Sequence, residues 1–271
     1  METRFWLYAG AALLLLFTSV ALFAPLVSPY DPLQQNLEQD LITHSAQHLL
    51  GTDKLGRDML SRIIFGARIS LLVGASTVAL SLLIGVGVGS LSGYAGGIAD
   101  LLCMRLIDIL MAFPGILLAI AFSAVLGPGL DHVIVALALI GWTGYARLVR
   151  GEILSLRERD FVSAARALGC RPQRIIVLHL LPNLLPPIAI QATFGLAAAI
   201  VAEGSLSFLG LGVAPPTPSW GSMLNEGRQF LLVAPHLTTY PGIALMLTVF
   251  ALNLLGDALQ DWLGIQTAKR R

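Results

Sequence analysis

Glu203 is a carboxylate near the end of a long apolar run, and Ser205 and Ser207 follow it closely. Carboxylates are costly to place in an apolar surrounding and are often functional where they occur. The glycines and prolines of residues 204–218 predict that the helix breaks here and forms a reentrant turn. Two interpretations stay open: these three side chains line a polar translocation path, or Glu203 caps a local backbone turn.

His44 and His48 are four residues apart, a spacing at which two imidazoles can bind one metal ion. The sequence shows no third ligand beside them, so they are weak candidates and no metal site is predicted. Cys103 and Cys170 are far apart and form neither a CxxC motif nor a disulfide framework. Metal and redox chemistry are therefore not expected of this chain.

Motifs for nucleotide hydrolysis and for hydrolytic catalysis are missing from the sequence. A phosphate-binding P-loop requires a lysine followed by Ser or Thr, whereas Lys54 precedes Leu55 and Lys269 precedes Arg270. No serine lies in a G-x-S-x-G motif, and no paired metal motif supports an intramembrane hydrolase. The chain is predicted to be no enzyme and to bind no cofactor, so that any ATP and Mg²⁺ belong to another subunit.

The composition favours a membrane protein. Of the 271 residues, 56% are hydrophobic and 12% are charged, and the mean hydropathy is +0.78. Soluble domains average about 45–50% apolar and about 25% charged residues. Membrane lipid is therefore an expected partner, and the net charge of +1 gives no reason to expect nucleic acid.

Six apolar runs predict the architecture, because a helix that crosses the bilayer core needs roughly 20 mostly apolar residues. The predicted fold class is an all-α integral membrane protein with about six transmembrane helices, at residues 5–24, 69–90, 109–126, 133–149, 184–201 and 238–255. The first run could instead be a signal peptide, but its length and Pro25 favour a retained helix. Gly85, Gly87 and Gly89 predict a face for close helix packing.

Basic residues in the connections predict the orientation. With the N-terminus inside, most of the 17 basic residues lie on the inner side, which favours cytoplasmic N- and C-termini. The inner residues are Arg4, Arg105, Arg147, Arg150, Arg157, Arg159, Arg166, Arg171, Arg174, Lys269, Arg270 and Arg271. The outer ones are Lys54, Arg57, Arg62, Arg68 and Arg228.

The first outer connection carries four of these outer basic residues within GTDKLGRDMLSRIIFGARISL, residues 51–71. From Asp58 onward its apolar residues fall on one helical stripe, with Asp58 and Arg62 opposite at i,i+4 spacing. This pattern predicts an amphipathic helix on the membrane surface before the second span. Elsewhere, Arg105 and Asp108 predict an ion pair on one helix, and Trp6, Trp220 and Trp262 predict interface anchors.

The inner connection FVSAARALGCRPQRIIVLHLLPN, residues 161–183, is polar and basic but carries its own helix signals. Asp160 predicts an N-cap, and Gly169 predicts a left-handed helix end. Pro172 stops the first helix, and a second short helix is predicted from about residue 173 to 181, ending at Pro182. A narrow apolar face is predicted on the first helix: Phe161, Val162, Ala165 and Leu168.

That face is too short to stabilise an isolated helix, while Ala164 and Ala165 leave room for close approach. Arg166, Arg171 and Arg174 surround the tip with positive charge. The pattern is typical of a short helix that docks into a groove on a cytoplasmic partner. The alternative is a loop packed only on its own membrane domain.

Ser163, Ala164, Ala165, Gly169 and the HLLP that ends at Pro182 resemble the EAA loop of ABC importer permeases, whose pattern is EAA-x3-G-x9-I-x-LP. Ser163 stands where Glu is usual, and His179 where Ile is usual. Further blocks resemble the second permease of dipeptide, oligopeptide and nickel importers, in the same order: GTDKLGRDMLSRIIFGARISLLVG, AEGSLSFLGLG, PPTPSWGSML and YPGIALMLTVFALNLLGDALQDWL.

The resemblance implies a type I ABC importer permease in the bacterial cytoplasmic membrane, for small peptides or nickel and metal chelates. It implies a homologous second permease, two ATPase subunits inside and an extracytoplasmic substrate-binding protein. Residues 1–68 would form an N-terminal part and residues 69–271 the core, with a coupling loop at residues 150–182. The implied ATPase-coupling residues are Phe161, Val162, Ser163, Ala164, Ala165, Leu168, Gly169 and Pro182. The competing function is a self-contained secondary transporter or channel.

Overall fold

A computed structural model describes the backbone of residues 2–269 and the side chains of Trp6 and residues 8–264. The predicted inner residues Arg4, Lys269, Arg270 and Arg271 lie outside the described side chains. The described part is helical and contains no strand. Its α-helices are α1 (Glu2–Leu22), α2 (Ala24–Val27), α3 (Met59–Ala95), α4 (Gly97–Met111), α5 (Gly115–Leu126), α6 (Leu130–Leu156), α7 (Asp160–Ala167), α8 (Pro172–Ile175), α9 (Leu181–Phe208), α10 (Trp220–Gly227) and α11 (His236–Lys269).

Four helical stretches of the described chain are each long and apolar enough to cross a membrane, and they confirm four predicted spans. These stretches are Met59–Ala95, Leu130–Leu156, Pro172–Phe208 and His236–Gly264. The first predicted span corresponds to α1, whose described apolar part, Tyr8–Leu22, is shorter.

The predicted span at residues 109–126 is wrong as a single helix. Helices α4 and α5 meet there at an angle of 88°. Pro114 is the N-cap of α5, and a proline disfavours helical backbone at the residue before it and offers no N–H to the preceding turn. The two helices therefore form a sharply bent pair rather than one straight span.

The separate amphipathic helix predicted before the second span is also wrong, because its residues form the first turns of α3. Asp58 is the N-cap, and its carboxylate accepts a hydrogen bond from the Ser61 N–H at 2.8 Å. Arg62 is 1% exposed rather than solvated. At 1.5 Å per residue, the 37-residue helix is about 55 Å long. It crosses the predicted domain boundary between residues 68 and 69.

Helices α3 and α6 pack closely and run parallel, with α4 and α5 as the connection. A Cβ atom on Gly89 would lie 2.6 Å from the carbonyl oxygen of Ala146, and one on Gly85 would lie 2.6 Å from the Cβ atom of Tyr145. Both glycines confirm the predicted packing face. Gly87 has open space around it and does not belong to this face.

The bundle has two ends, named here after the short helices they carry. At the α7 end, side chains from α6, α7, α8, α9 and the turn between α8 and α9 form one buried cluster: Val149, Ile153, Val162, Ala165, Ile175, Leu180 and Leu184. At the α10 end, the start of α3 packs on α10 and on the start of α11 through Met59, Met223, Ala234 and Leu237. The two ends lie at opposite ends of α3.

Trp220, predicted as an interface anchor, is wholly buried at the α10 end. Its indole N–H donates a hydrogen bond to the Ile63 carbonyl oxygen at 3.1 Å, and its ring meets Phe17 edge-on. A buried Trp needs such a partner for its N–H. Trp220 therefore fixes α10 against α3 and α1, whereas Trp6 and Trp262 are about half exposed.

Candidate functional site: the α7 loop and the polar clusters

The start of α7 differs from the prediction. The N-cap is Arg159, whose side chain makes no capping hydrogen bond, and Asp160 is the first residue of the helix. A carboxylate in the first turn still interacts favourably with the helix dipole. Asp160 therefore contributes through its charge rather than as a cap.

The end of α7 confirms the predicted left-handed glycine. Gly169 has φ +75°, and its N–H donates to the Arg166 carbonyl oxygen at 2.9 Å. The Cys170 N–H donates to the Ala165 carbonyl oxygen at 3.1 Å. These two bonds form a Schellman motif, which satisfies carbonyl groups at the helix end. The chain therefore turns sharply after α7.

The apolar residues of α7 divide between two faces, so the predicted single face is wrong. Val162 and Ala165 are buried in the cluster of the α7 end, at 0% and 5% exposure. Phe161 is 41% exposed and Leu168 is 84% exposed. With Ala164, which is also exposed, they form a row at i, i+3 and i+7, called here the exposed stripe. Ser163 and Gly169 are exposed as well.

Arginines tie the α7 loop to the end of α3. The guanidinium of Arg166 lies over the ring of Tyr94 at 5.4 Å from its centroid, a cation–π contact. Arg157 donates from Nη1 to the Gly93 carbonyl oxygen at 3.2 Å. Arg171 and Arg174 are exposed, as predicted for the basic tip. The loop is thus fixed on one side and open on the other.

Pro182 does not end a helix, contrary to the prediction. Residues Ile176–Leu180 form a π-helical turn that joins α8 to α9, and Pro182 lies in the first turn of α9. Because Pro182 has no N–H, an ordinary helical turn could not continue through it undisturbed. The wider turn accommodates this, with the Leu181 N–H bonded to the Ile176 carbonyl oxygen.

The structure brings Glu203 and Ser207 together but places Ser205 elsewhere. Glu203 is fully buried and accepts hydrogen bonds from the hydroxyls of Ser70 at 3.2 Å and Ser207 at 2.7 Å. The Ser207 hydroxyl in turn accepts the Val213 N–H at 3.2 Å. Ser205 is partly exposed and bonds the Val201 carbonyl oxygen in its own helix. Glu203 and Ser207 therefore hold the turn between α9 and α10.

The two histidines do not converge on a common point. His44 bonds the Leu49 carbonyl oxygen through Nδ1 at 2.7 Å. His48 lies 2.8 Å from Asp58 through Nδ1 and 3.2 Å from Gln39 through Nε2. Among the described residues no three His, Cys, Asp or Glu side chains are grouped to hold a metal ion.

A buried ionic cluster at the α10 end was missed by sequence reasoning. It is defined here as Asp53, Arg57, Arg62 and Glu226. Arg57 donates from Nε to Asp53 at 2.6 Å and from Nη2 to Glu226 at 2.7 Å. Arg62 donates to both carboxylates, to Glu226 at 2.9 Å. The cluster joins the loop before α3 to α10.

The charges of the ionic cluster balance, and Asp53 is held ionised. Burial raises the pKa of Asp53, but the charges of Arg62 and Arg57 and the backbone N–H groups of Arg57 and Leu55 outweigh it. The net result is a pKa below the ordinary value. The signal in the sequence was the group of four charged residues in GTDKLGRD, but this stretch was assigned to the outer connection and the start of a surface helix instead.

The predicted Arg105–Asp108 ion pair is replaced by a contact between two helices. Asp108 on α4 accepts a hydrogen bond from Arg147 on α6 at 2.8 Å, with both side chains about half exposed. The i,i+3 spacing thus indicated the acidic residue correctly but not its partner.

Comparison with known proteins places this helical architecture in a family. Residues 85–267 match the binding-protein-dependent transport system inner membrane component, and residues 7–47 match the N-terminal transmembrane domain of oligopeptide transport permease C. The chain belongs to this family of importer permeases. The α7 loop and the turn held by Glu203 lie within the first of these matches.

Two relatives of this permease cover most of the chain. The dipeptide transport system permease protein DppC of Alkalihalophilus pseudofirmus is 44% identical, over 93% of this chain and 83% of that protein. The glutathione transport system permease protein GsiD of Escherichia coli O1:K1 is 45% identical, over 93% of this chain and 84% of that protein. The permease is thus similar to transport subunits rather than to enzymes.

Solved structures support the same fold. An inward-facing MetNI methionine ABC transporter matches with a TM-score of 0.61 and 23% identity, over 73% of this chain and 94% of that chain. The predicted fold class is confirmed, and the chain is a membrane-spanning permease subunit of an ABC importer. The alternative, a self-contained secondary transporter or channel, gains no support from these matches.

Proposed function

We propose that this permease imports short peptides, as one of two homologous permease subunits in the bacterial cytoplasmic membrane. Two ATPases bind inside at the α7 end, and a substrate-binding protein delivers cargo outside at the α10 end. ATP and Mg²⁺ bind the ATPases, and the N- and C-termini of the permease are cytoplasmic. The peptide assignment is supported by the relatives, which carry the names of dipeptide and glutathione permeases; nickel chelates lack that support.

The exposed stripe on α7 is the observation that carries the ATPase assignment. A helix of eight residues is marginal by itself, but Val162 and Ala165 anchor it in the cluster of the α7 end. The anchoring leaves Leu168 and Phe161 exposed on the opposite side, at 84% and 41%. Such a rigidly held apolar row is suited to a groove on a partner protein.

Energy coupling then follows from differential binding. Closure of the ATPase pair moves α7, and the movement reaches α6 and α9 because Val162 and Ala165 pack with residues of both helices. The docked helix must bind two ATPase states unequally, because equal affinity shifts nothing. Phe161, Ala164 and Leu168 make the contact, while Val162, Ala165, Gly169 and Pro182 fix the shape of the loop.

The translocation path is proposed to involve Ser205 rather than Glu203 and Ser207. Ser205 lines an open groove between α9 and α11 together with Asn253. The hydrogen bonds of Glu203 and Ser207 are made with each other and with the backbone of the turn that follows α9. Their proposed role is to position the turn beside the path.

A Leu168→Ala variant tests the coupling proposal in the complete importer, expressed with the ATPases encoded beside it. We expect ATPase co-purification and peptide uptake to fall together, because the stripe loses its most exposed apolar side chain. The matched control is Leu83→Ala, an exposed leucine within α3 that lies away from both ends of the bundle. Normal co-purification and uptake in Leu168→Ala would contradict the proposal.

Cysteine labelling in intact cells tests the orientation separately. The background carries Cys103→Ser and Cys170→Ala, since both native cysteines are partly exposed. A membrane-impermeant maleimide applied outside should modify a Leu232→Cys variant and spare a Leu168→Cys variant. The reverse pattern would place α7 outside and exclude ATPase docking there.

A further inference from the structure

Helix α4 carries the chain from the α7 end of α3 to the bend before α5, but it is weakly packed. Of its 15 residues, all in the described part of the chain, only Ile107 is buried. Ile107 packs against Trp142 and Ala146 of α6. A helix in a protein owes most of its stability to a packed apolar face. The position of α4 therefore depends strongly on its polar contacts.

One group of polar contacts joins the first turn of α4 to two neighbouring helices. Arg150 of α6 donates to the Asp100 carboxylate from Nε at 2.5 Å and from Nη2 at 2.7 Å. The hydroxyl of Ser92, in the last turn of α3, donates to the same carboxylate. Such a bidentate pair is stronger than an ordinary hydrogen bond and fixes the relative orientation of both groups. Asp100, Arg150 and Ser92 are called here the α4 anchor.

The last turn of α3 also connects the α4 anchor to the α7 loop. Arg157, at the end of α6, donates to the Gly93 carbonyl oxygen in this turn. Arg166 of α7 lies over the ring of Tyr94. A Cβ atom on Gly93 would lie 3.1 Å from the carbonyl oxygen of Arg150, so α3 and α6 are in close contact at this level. The α4 anchor and α7 are thus attached to the same turn of α3.

Helix α5, which follows α4, lies beside the proposed translocation path. Its residue Ile116 lines the groove between α9 and α11 that also holds Ser205 and Asn253. Helix α4 ends at Met111 and α5 begins at Gly115. Because this connection is short, a displacement of α4 also displaces α5 and the side chain of Ile116.

We propose that Asp100 and Arg150 are positioning residues for energy coupling, because the α4 anchor makes α4 and α5 follow the movement of α7. The inference rests on the proposed docking of the ATPases at α7. The movement reaches the last turn of α3 and the end of α6 through Arg166, Arg157 and the buried cluster of the α7 end. The α4 anchor transfers it to α4, and α5 then moves beside the translocation path. This route adds α4 and α5 to the helices that respond to the ATPases.

A second ion pair joins the same two helices and provides the matched control. Arg147 of α6 donates to Asp108 of α4 at 2.8 Å, but the two side chains are 49% and 55% exposed. The side chains of Arg150 and Asp100 are only 28% and 20% exposed. Exposed ion pairs contribute little. Asp108→Ala should therefore leave α4 in position, whereas Asp100→Ala should free its first turn from α6.

The first test follows Ile116 by cysteine labelling in the complete importer. In the Cys103→Ser, Cys170→Ala background, an Ile116→Cys variant is treated with a maleimide, with and without ATP and orthovanadate, which hold the ATPases closed. With the α4 anchor intact, we expect this closure to change the labelling rate about fivefold or more, because it shifts the population of α5 positions. Asp100→Ala should abolish most of the change, and Asp108→Ala should preserve it. An unchanged response in Asp100→Ala, or no response with the anchor intact, would overturn the proposal.

The second test separates a positioning role from a structural one. Asp100→Glu keeps the negative charge and should keep the labelling response, whereas Arg150→Ala should lose it as Asp100→Ala does. The ATPases should co-purify with all three variants, at unfolding temperatures close to that of Asp108→Ala. A lower unfolding temperature in Asp100→Ala with an unchanged labelling response would show a structural contact only and refute the positioning role. So would a response in Asp100→Glu as small as that in Asp100→Ala.

Leu168→Ala in the same labelling experiment distinguishes this inference from the proposed function. If Leu168→Ala loses both the ATPases and the response of Ile116→Cys while Asp100→Ala keeps them, only the role of the α4 anchor is refuted. If Leu168→Ala keeps the ATPases and the response, docking at the exposed stripe is refuted instead.

Discussion

The two ends of the helix bundle differ in which side chains they bury and which they expose. At the α10 end, the ionic cluster buries two arginines and pairs them with two carboxylates. At the α7 end, Arg171 and Arg174 are exposed and the exposed stripe leaves apolar side chains without cover. One end pairs the charges of its ionic cluster within the chain, and the other presents groups that a partner can use.

Under the proposed function, stability and partner binding therefore depend on separate regions of the subunit. Removing a residue of the ionic cluster leaves a buried charge without its partner, which penalises folding. Truncating Leu168 of the exposed stripe leaves the fold intact, because that residue is 84% exposed. Variants at the two ends should therefore separate unfolding from uncoupling.

Arg62→Ala should have the largest effect on stability. Arg62 is 1% exposed and contacts both Asp53 and Glu226, and breaking a buried ion pair typically costs about 3–5 kcal/mol. We expect the purified permease to unfold at a clearly lower temperature. Arg68→Ala, at an exposed position of the same helix, should change the stability by less than about 0.5 kcal/mol. Similar unfolding temperatures for both variants would show that the cluster does not stabilise the α10 end.

Asp53→Asn should destabilise the permease less than Arg62→Ala, and in a pH-dependent way. The pKa of Asp53 is lowered in the folded protein by Arg62, Arg57 and two backbone N–H groups, which outweigh burial. A lowered pKa contributes stability at neutral pH, and this contribution is lost as the pH falls through the folded-state pKa.

The check is thermal unfolding of wild type and Asp53→Asn at a series of pH values. The gap between them should be full above about pH 4, the ordinary pKa range of an aspartate, and should shrink below it. A gap that stays constant down to acid pH would mean that the charge of Asp53 contributes nothing.

Val162→Ala and Leu168→Ala sharpen the comparison within α7 itself. Val162 is fully buried, so its truncation should cost about 2 kcal/mol through lost burial and a small cavity. Leu168 is 84% exposed, and its truncation should leave the unfolding temperature unchanged while ATPase binding falls. Unfolding measured on the permease and co-purification measured on the complex give the two readouts. Equal destabilisation by both would mean that α7 is not divided into an anchoring and a docking face.

Local signals in the sequence predicted the elements that depend on local chemistry. Gly169 sets the end of α7 through its own backbone freedom, and Gly85 and Gly89 mark a packing face because small residues allow close approach. These properties are inherent in the residue types and their spacing. Four of the six apolar spans were predictable for the same reason, whereas the bend between α4 and α5 was not.

Contacts between distant parts of the chain were not predictable from such signals. Arg62 meets Glu226 across 164 positions of sequence, and Glu203 meets Ser70 across 133. A pattern along one helix shows which side chains share a face, but not what covers that face. For this reason Arg62 was assigned to a solvated face, and the division of the apolar residues of α7 between two sides was missed.

Gly169→Ala is expected to have the smallest effect. It tests whether the tight turn after helix α7 is needed for ATPase docking. Gly169 has φ +75° and an added Cβ atom would meet nothing within 4 Å, so the cost comes from backbone conformation alone. That cost is about 1 kcal/mol for a residue with a side chain in the left-handed region.

Gly144→Ala is the control, because Gly144 lies within α6 and also has open space around it. This variant should gain stability, because alanine is the better helix former. If ATPase docking requires the Schellman turn, uptake by the complete importer should fall in Gly169→Ala and stay normal in Gly144→Ala. Unchanged uptake in Gly169→Ala would show that the exposed stripe docks without the Schellman turn that ends helix α7. The two ends of the bundle would then differ in the exposure of their side chains and not in a required backbone conformation.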